Sequence, residues 1–489
     1  MRLKLKLFKI RTDKLVAFLN EKDAAKFGLH TGERIVLGTN SHKIIAVVDI
    51  AKGFIKKGEI AISEEVLEKL PLKPNDYVDV SLPPTPSSSN ILQGIETCKK
   101  YTQDDLRKIM RDIVNNSLAD SEVAYFVSGV SHCGMSLRET VYLTKAIFET
   151  GQKISWGKIK TADKHSIGGI PGNRTTPIIV AICASAGVVM PETSSRAITS
   201  AAGTADTVES IAKVDLSIKE LKRIVKKTGG CLAWGGSLGL APADDKLIRV
   251  EKLLRLDPKP QLIASILAKK LAAGSKYILI DIPYGEGAKV NHNDAKKLKL
   301  TFEEISHMLK LKIKVVLTDG SQPIGNGIGP TLEMNDVIKV LQRNNPPKDL
   351  EEKSILLAGM ILEMTGRAGK NQGAGKARQL LDSGKAFEKF LEIIKEQKGD
   401  INSIKIAPYS YTVISKKPGK VAHIKNHEIS YLARIAGCPL DKKSGLYLYK
   451  HKHERVAKGE KIMTIYSESK HKLNEAIRFY KKSAPIILS

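Results

Sequence analysis

The chain opens on alternation. In "MRLKLKLFKI" charged and apolar side chains take turns, the period-two signature of a half-buried strand. "ERIVLGT", "IIAVVDI" and "DYVDVSL" continue it, with Gly32, Gly38 and the Asn75–Asp76 pair supplying turns. Residues 1–84 therefore predict a small β-rich domain that ends in the Pro/Ser linker "PPTPSSSN". From Thr102 the period lengthens. "TQDDLRKIMRDIVNNSL" reads as a helix with a Thr N-cap and an acidic first turn. "SLRETVYLTKAIFETG" repeats the logic, with Ser136 as cap, Glu139 at the capping-box position and Gly151 as stop. A helical lobe is expected over residues 85–158, completed by about residues 241–275.

Strands then alternate with helices. "KYILIDIP" and "KIKVVLTDG" are buried-strand runs, each followed by a glycine-rich loop, "YGEGAKV" and "GSQPIGNGIGP"; "TLEMNDVIKVLQRN" supplies a helix. That order implies a mostly parallel sheet over residues 159–404, with ligands at the carboxyl ends of its strands. Residues 405–489 return to short strands in "GLYLYKHKHERVAKGEKIMTIYS" and predict a third, β-rich unit. The expected class is α/β: a helical lobe plus a mostly parallel α/β domain, flanked by a small N-terminal β domain and a C-terminal β-rich unit.

Charge narrows the partners. Lys and Arg number 79 against 52 Asp and Glu, a formal net charge of +27. Such a surplus attracts nucleic acid or small anions. Aromatic residues are only 5% and the lysines are spread along the chain, which favours small anions and no nucleic-acid partner. Cys98, Cys133, Cys183, Cys231 and Cys438 are far apart, odd in number and in no CxxC pair. This predicts neither a disulfide framework nor a zinc site, and a reducing, cytoplasmic setting. The longest apolar run, Ile178 to Met190, is too short for a bilayer, which takes about 20 residues, so no membrane partner is expected.

Candidate chemistry gathers in four places. "TADKHSIGGIPGNRTTP", from Thr161 to Pro177, puts Lys164, Ser166 and Gly169 in one glycine-rich loop. Backbone N–H groups, hydroxyls and a cation there suit a phosphate; a polar surface turn would read the same way. "MPETSSRAITSAAGTADTVES" carries Ser195, Arg196, Ala197, Ile198, Thr199, Ser200 and Thr204, either a second oxyanion ring or a set of helix caps. Two such segments suggest two anionic groups. In "LLRLDPKPQLIASILAKKLAAG" Ser265 and Lys269 share a helix face, and Asp257 stands where an N-cap is expected. Lys289 follows the strand ending at Pro283, as an anion ligand or another surface lysine. "GRAGKNQGAGKAR" is not a Walker A loop, because Lys370 replaces its first glycine and Ala377 its Ser/Thr. No carboxylate cluster or His/Cys spacing calls for a metal or a cofactor.

These motifs add up. Lys164-His165-Ser166 with Gly168 and Gly169, then "GTADTVES", "IASILAKKLAAG" and "GEGAKV", resemble the thymidine/pyrimidine-nucleoside phosphorylase family, and within it the archaeal AMP phosphorylases, over about residues 85–489. Residues 1–84 resemble the double-psi β-barrel at the front of certain AAA ATPases. The resemblance implies a nucleoside phosphorylase II-like fold and phosphorolysis, with AMP as substrate, CMP and UMP as alternatives to it, and orthophosphate as co-substrate. It also implies a homodimer or larger homo-oligomer. Lys164 and Ser166 become phosphate ligands, and Gly169, Ser195 to Ser200, Thr204, Ser265 and Lys289 nucleotide ligands. Asp257 becomes the proton donor to the leaving base. Where the pyrimidine enzymes carry Gly-Arg-Gly-Leu-Gly-His-Thr, this chain has Ser195-Arg196-Ala197-Ile198-Thr199-Ser200-Ala201, and Val250 stands where they use an arginine against the pyrimidine ring. The added hydroxyls fit a 5′-phosphate, which nucleosides lack, and Val250 weighs against thymidine. The rival classes are a pyrimidine nucleoside phosphorylase, a magnesium-dependent phosphoribosyltransferase and a basic nucleic-acid-binding protein.

Overall fold

A computed structural model describes residues 1–39, 42–197 and 200–489. The chain divides into two compact units: Met1–Thr150 with Pro242–Gln261, and Gly151–Ala241 with Leu262–Ser489.

The first unit starts with a closed barrel of six strands: β1 (Arg2–Leu5), β2 (Val16–Asn20), β3 (Arg34–Gly38), β4 (Lys43–Ala51), β5 (Glu59–Ile62) and β6 (Tyr77–Ser81), in the order β1-β5-β2-β4-β3-β6. The alternation predicts its interior. Leu3, Leu5, Leu19, Ile35, Leu37, Val48, Ile60, Val78 and Val80 point inward and are almost fully buried, while Arg2, Lys4, Asp79 and Ser81 point out. Pairing of β6 with β1 closes the ring and removes the exposed edges that would template aggregation. The longer helices of the unit are Gln103–Val114, Asp120–Cys133, Leu137–Thr150 and Pro242–Leu254. Thr102 caps the first of them with a reciprocal Asp105 bond.

One expectation is corrected here. Cys98 and Cys133 form a disulfide, with Cα atoms 5.4 Å apart although 35 residues separate them in sequence. Tertiary packing brings them together. The turn Ile95–Thr97 lies so close to the helix Asp120–Cys133 that a Cβ on Gly129 would fall 2.0 Å from Ile95 Cγ2. Spacing along the chain carries no trace of that contact, and the cysteines no longer argue for a reducing compartment. Cys183, Cys231 and Cys438 are buried thiols. Among the described residues, no helix is long and apolar enough to cross a membrane.

The second unit holds β7 (Ala162–Ser166), β8 (Met190–Ser194), β9 (Gly230–Trp234), β10 (Tyr277–Tyr284) and β11 (Lys312–Asp319), with β11-β10-β7 and β8-β9 paired in parallel. The helix Thr175–Ser185 is apolar nearly all round because it is central. Ile178 to Cys183 are fully buried, in a core shared with the helices Pro330–Gln342 and Lys348–Met364. The C-terminal part has two small sheets built from β12 (Gly327–Ile328), β13 (Tyr409–Ile414), β14 (Gly419–Ile424), β15 (Gly445–Leu448), β16 (Arg455–Val456), β17 (Lys461–Ser467) and β18 (Ile486–Leu488). β12 is part of the glycine-rich loop after β11 and pairs with β15, so the loop is stitched into the C-terminal sheet. Two helices, Asn426–Ala436 and Lys470–Ser483, cover this region as well.

Candidate active site

The Lys-His-Ser motif starts as a strand rather than a loop. β7 is polar yet buried, a composition that local propensity does not favour and that only partners can sustain. Lys164 is 2% exposed, and its ammonium donates to Thr175 Oγ1 at 2.9 Å and Thr176 Oγ1 at 3.4 Å. Burial lowers its pKa to about 8, against the pull of Asp281 and Glu192. Ser166 is the register partner of Asp281 on β10 and donates its hydroxyl proton to Asp281 Oδ2 at 2.9 Å. Asp281 also accepts from Thr318 Oγ1 at 2.6 Å and pairs with Lys353 at 3.1 Å. Asn173 Nδ2 donates to Ser166 Oγ at 3.3 Å.

Beside these residues lies a second buried charge cluster. Lys270 reaches Asp163 at 2.8 Å and Glu192 at 3.7 Å, and Ser275 Oγ donates to Asp163 at 2.9 Å. Burial, reinforced by Asp163, pushes the Glu192 carboxyl well up. His165 is held well below its ordinary pKa by burial and by Lys270, Lys164, Lys269 and Lys289. Four lysines thus act on one imidazole, two of them, Lys164 and Lys270, balanced by the buried carboxylates Asp281, Asp163 and Glu192.

Gly169 adopts φ +99°, a left-handed conformation, and a Cβ there would sit 3.4 Å from Lys289 Cβ. The two predicted ligands are therefore neighbours, and the left-handed backbone is what calls for glycine at this position. Lys289 is exposed; Ser265 shares the helix Lys259–Ala272 with Lys269. Asp257 is exposed in the linker before that helix, and Pro258 takes the position flanking its first residue, so Asp257 is one residue too early for the expected cap. By chain segment it falls in the first compact unit, whereas Lys164, Ser166 and Lys289 fall in the second. Val250 is buried.

The second hydroxyl-rich segment is organised by carboxylates. Arg196 forms a bidentate pair with Glu209 at 2.6 and 2.7 Å, contacts Asp206 and Asp215 at 3.4 and 3.5 Å, and stacks 4.6 Å over Trp234. Glu209, which also binds Lys442, is lowered to about 2 by Arg196. The guanidinium predicted as an open fork is thus occupied by acidic side chains. Ala197 N–H donates to Asp206 at 2.6 Å, Ser200 donates to Ala202 O, and Ser195 is exposed. Gly203 is obligatory: a Cβ there would meet Ser195 O at 2.4 Å. Ile198 and Thr199 lie outside the described residues.

What joins the two segments is Arg174, which sequence reasoning missed. Its guanidinium donates to Gly172 O at 3.0 Å in the first segment, and to Ala202 O at 3.0 Å and Thr204 Oγ1 at 2.9 Å in the second. Its Nε pairs with the buried Glu333 at 2.7 Å, and Glu333 also accepts from Thr207 at 2.9 Å. A lone arginine ending a glycine-rich stretch was the only signal available.

The family model "Glycosyl transferase family, a/b domain" matches residues 158–387, and "Pyrimidine nucleoside phosphorylase C-terminal domain" matches residues 420–487. AMP phosphorylase 1 of Archaeoglobus fulgidus is 39% identical over 484 residues, covering 98% of this chain and 96% of the relative. A candidate thymidine phosphorylase of Legionella pneumophila (strain Paris) is 40% identical over 465 residues, covering 94% and 89%. Anthranilate phosphoribosyltransferase of Thermus thermophilus superposes with a TM-score of 0.53 at 15% identity, covering 63% of this chain and 99% of that one, which supports the fold alone.

Proposed function

The chain belongs to the AMP phosphorylase group of the pyrimidine nucleoside phosphorylase family, and on that premise we propose that it cleaves AMP with inorganic phosphate to adenine and ribose 1,5-bisphosphate. One observation carries the choice of a nucleotide over a nucleoside. Two hydroxyl-rich segments are tied to one another by Arg174 beside a group of lysines, the second holding an arginine that an arriving 5′-phosphate would take over from Glu209 and Asp206. A nucleoside and phosphate bring one anion; AMP and phosphate bring two.

In this reading phosphate sits at Lys164 and Ser166. The nucleotide lies along Gly169, the Ser195–Thr204 segment, Ser265 and Lys289. Phosphate oxygen attacks C1′ as the C1′–N9 bond breaks, and both electrons of that bond leave with the base. Asp257 gives N7 its proton, so that adenine departs neutral; such general acid help typically contributes about 10²–10⁴-fold. Holding both substrates side by side makes the displacement effectively unimolecular. Arg196 acts by shaping its segment through Glu209 and Asp206, or by turning to the 5′-phosphate when it arrives. The Legionella relative keeps a thymidine-directed reading open. The experiment that separates them is a mass balance: one phosphate consumed and one sugar bisphosphate formed per AMP.

A further inference from the structure

A serine hydroxyl has one proton to give and two lone pairs with which to receive. Ser166 has already committed its proton. Asp281 Oδ2 lies 2.9 Å away on the paired strand, and a carboxylate can only accept. Burial alone would push the Asp281 carboxyl up, but Lys353, Lys164 and the Thr318 hydroxyl outweigh it and hold the group ionised. If Ser166 turned its proton elsewhere, two oxygens would face each other at 2.9 Å with nothing between them, one belonging to a fully buried carboxylate. Asn173 agrees with this assignment, since its amide N–H₂ points at Ser166 Oγ as a donor to an oxygen that has no proton free. One lone pair of Ser166 is then left to receive. Asn173 adds an independent sign: its amide oxygen is buried and has no hydrogen-bond partner, a second acceptor beside the first.

We propose that the Asp281–Ser166 pair makes this anion site selective for a protonated tetrahedral oxyanion, whose own O–H donates to Ser166 Oγ. Inorganic phosphate and arsenate keep at least one proton near neutral pH; sulfate keeps none. Sulfate has the same shape and charge as the phosphate dianion but meets a lone pair with a lone pair. Asp281 is thus a positioning residue that sets co-substrate specificity through Ser166. The inference rests on the reading of Lys164 and Ser166 as the phosphate site.

The test measures the phosphate KM, the arsenate KM and the competitive sulfate Ki during base release from AMP. In the wild type arsenate should match phosphate within a few-fold. The sulfate Ki should exceed the phosphate KM by at least about tenfold, the cost of leaving two facing acceptors with no proton between them. Ser166→Ala should raise the phosphate KM and lower the sulfate Ki or leave it unchanged, so that their ratio falls towards one. Asp281→Asn can donate to Ser166 and release its proton, so sulfate should bind more tightly in absolute terms. Should that variant not fold, Ser166→Ala carries the test, because it removes no charge. Equal competition by sulfate in the wild type, or a ratio that neither change moves, overturns the proposal. No base release from AMP by the wild type would sink the functional reading instead, and calorimetric titration with inorganic phosphate and with sulfate would then decide the selectivity on its own.

Discussion

Replacing Arg174 by methionine removes a side chain that bonds both hydroxyl-rich segments and the helix Pro330–Gln342 at once. The arginine is 11% exposed and Glu333 1%, so solvent screens their 2.7 Å pair very little. Breaking a buried pair on one side typically costs about 3–5 kcal/mol. The lower end applies here, because burial already pushes the Glu333 carboxyl up against the pull of Arg174, and it can take a proton once the cation is gone. Roughly 3 kcal/mol corresponds to a fall in melting temperature of roughly 4–5 °C for the second unit, at roughly 2.1 cal/mol/K of unfolding entropy per residue. Activity should fall separately. If the two segments hold the two substrates as proposed, a displacement of about 1 Å between them can cost about 10²-fold, and it should raise the KM for AMP and for phosphate together. The double variant Arg174→Met/Glu333→Leu dissects the two effects. It removes the stranded acid, so melting should return most of the way while both KM values stay high. Calorimetry and initial-rate kinetics on the three proteins check this. Unchanged KM values in the single variant, or recovery of activity along with melting in the double one, would refute the role of Arg174 as a brace.

Lys164 links activity to pH. Its pKa falls from 10.5 to about 8 on folding, so the folded chain binds fewer protons than the unfolded chain between those values, and burial of Lys164 makes stability rise with pH across that window. With Lys164 as the proposed phosphate ligand, the phosphate KM should climb above about pH 8; a flat profile well beyond pH 8 would contradict the assignment. Asp257→Asn should preserve melting and AMP binding while lowering kcat by about 10²-fold or more, with loss of the high-pH limb; near-normal kcat would leave the proton donor to another group. Cys98→Ser should lower the stability of the first unit by about 3–4 kcal/mol on the loop-entropy account. A melting curve indifferent to this change and to reductant would argue against the bridge.

The legible parts of the sequence were those with short-range causes. Alternation at Arg2–Leu5 and Tyr77–Ser81 marks strands because one face of each is buried, and Thr102 and Ser136 mark helix starts because their hydroxyls take up orphan N–H groups or carry a reciprocal glutamate. Lys164, Ser166, Gly169 and Lys289 were identifiable as residue types that bind anions, and the fold gathers them in one unit. Residues whose roles come from distant partners stayed hidden. Asp281 reads as one acid in an apolar strand until Ser166, Thr318 and Lys353 surround it; Arg174 and Glu333 are 159 residues apart. β7 was mistaken for a loop because its five residues include no β-branched side chain and pack through ion pairs instead. The disulfide failed for the same reason as Arg174: its cause is a tertiary contact.

The central claim is tested most directly by offering the purified chain AMP, adenosine and thymidine in parallel, with and without inorganic phosphate, in EDTA, and quantifying free base and sugar phosphate. The account predicts phosphate-dependent release of adenine from AMP with ribose 1,5-bisphosphate in equal amount, and much poorer turnover of both nucleosides. Equal turnover of adenosine or thymidine would contradict the two-anion reading, and a strict requirement for magnesium would move the chain towards the phosphoribosyltransferases whose fold it shares.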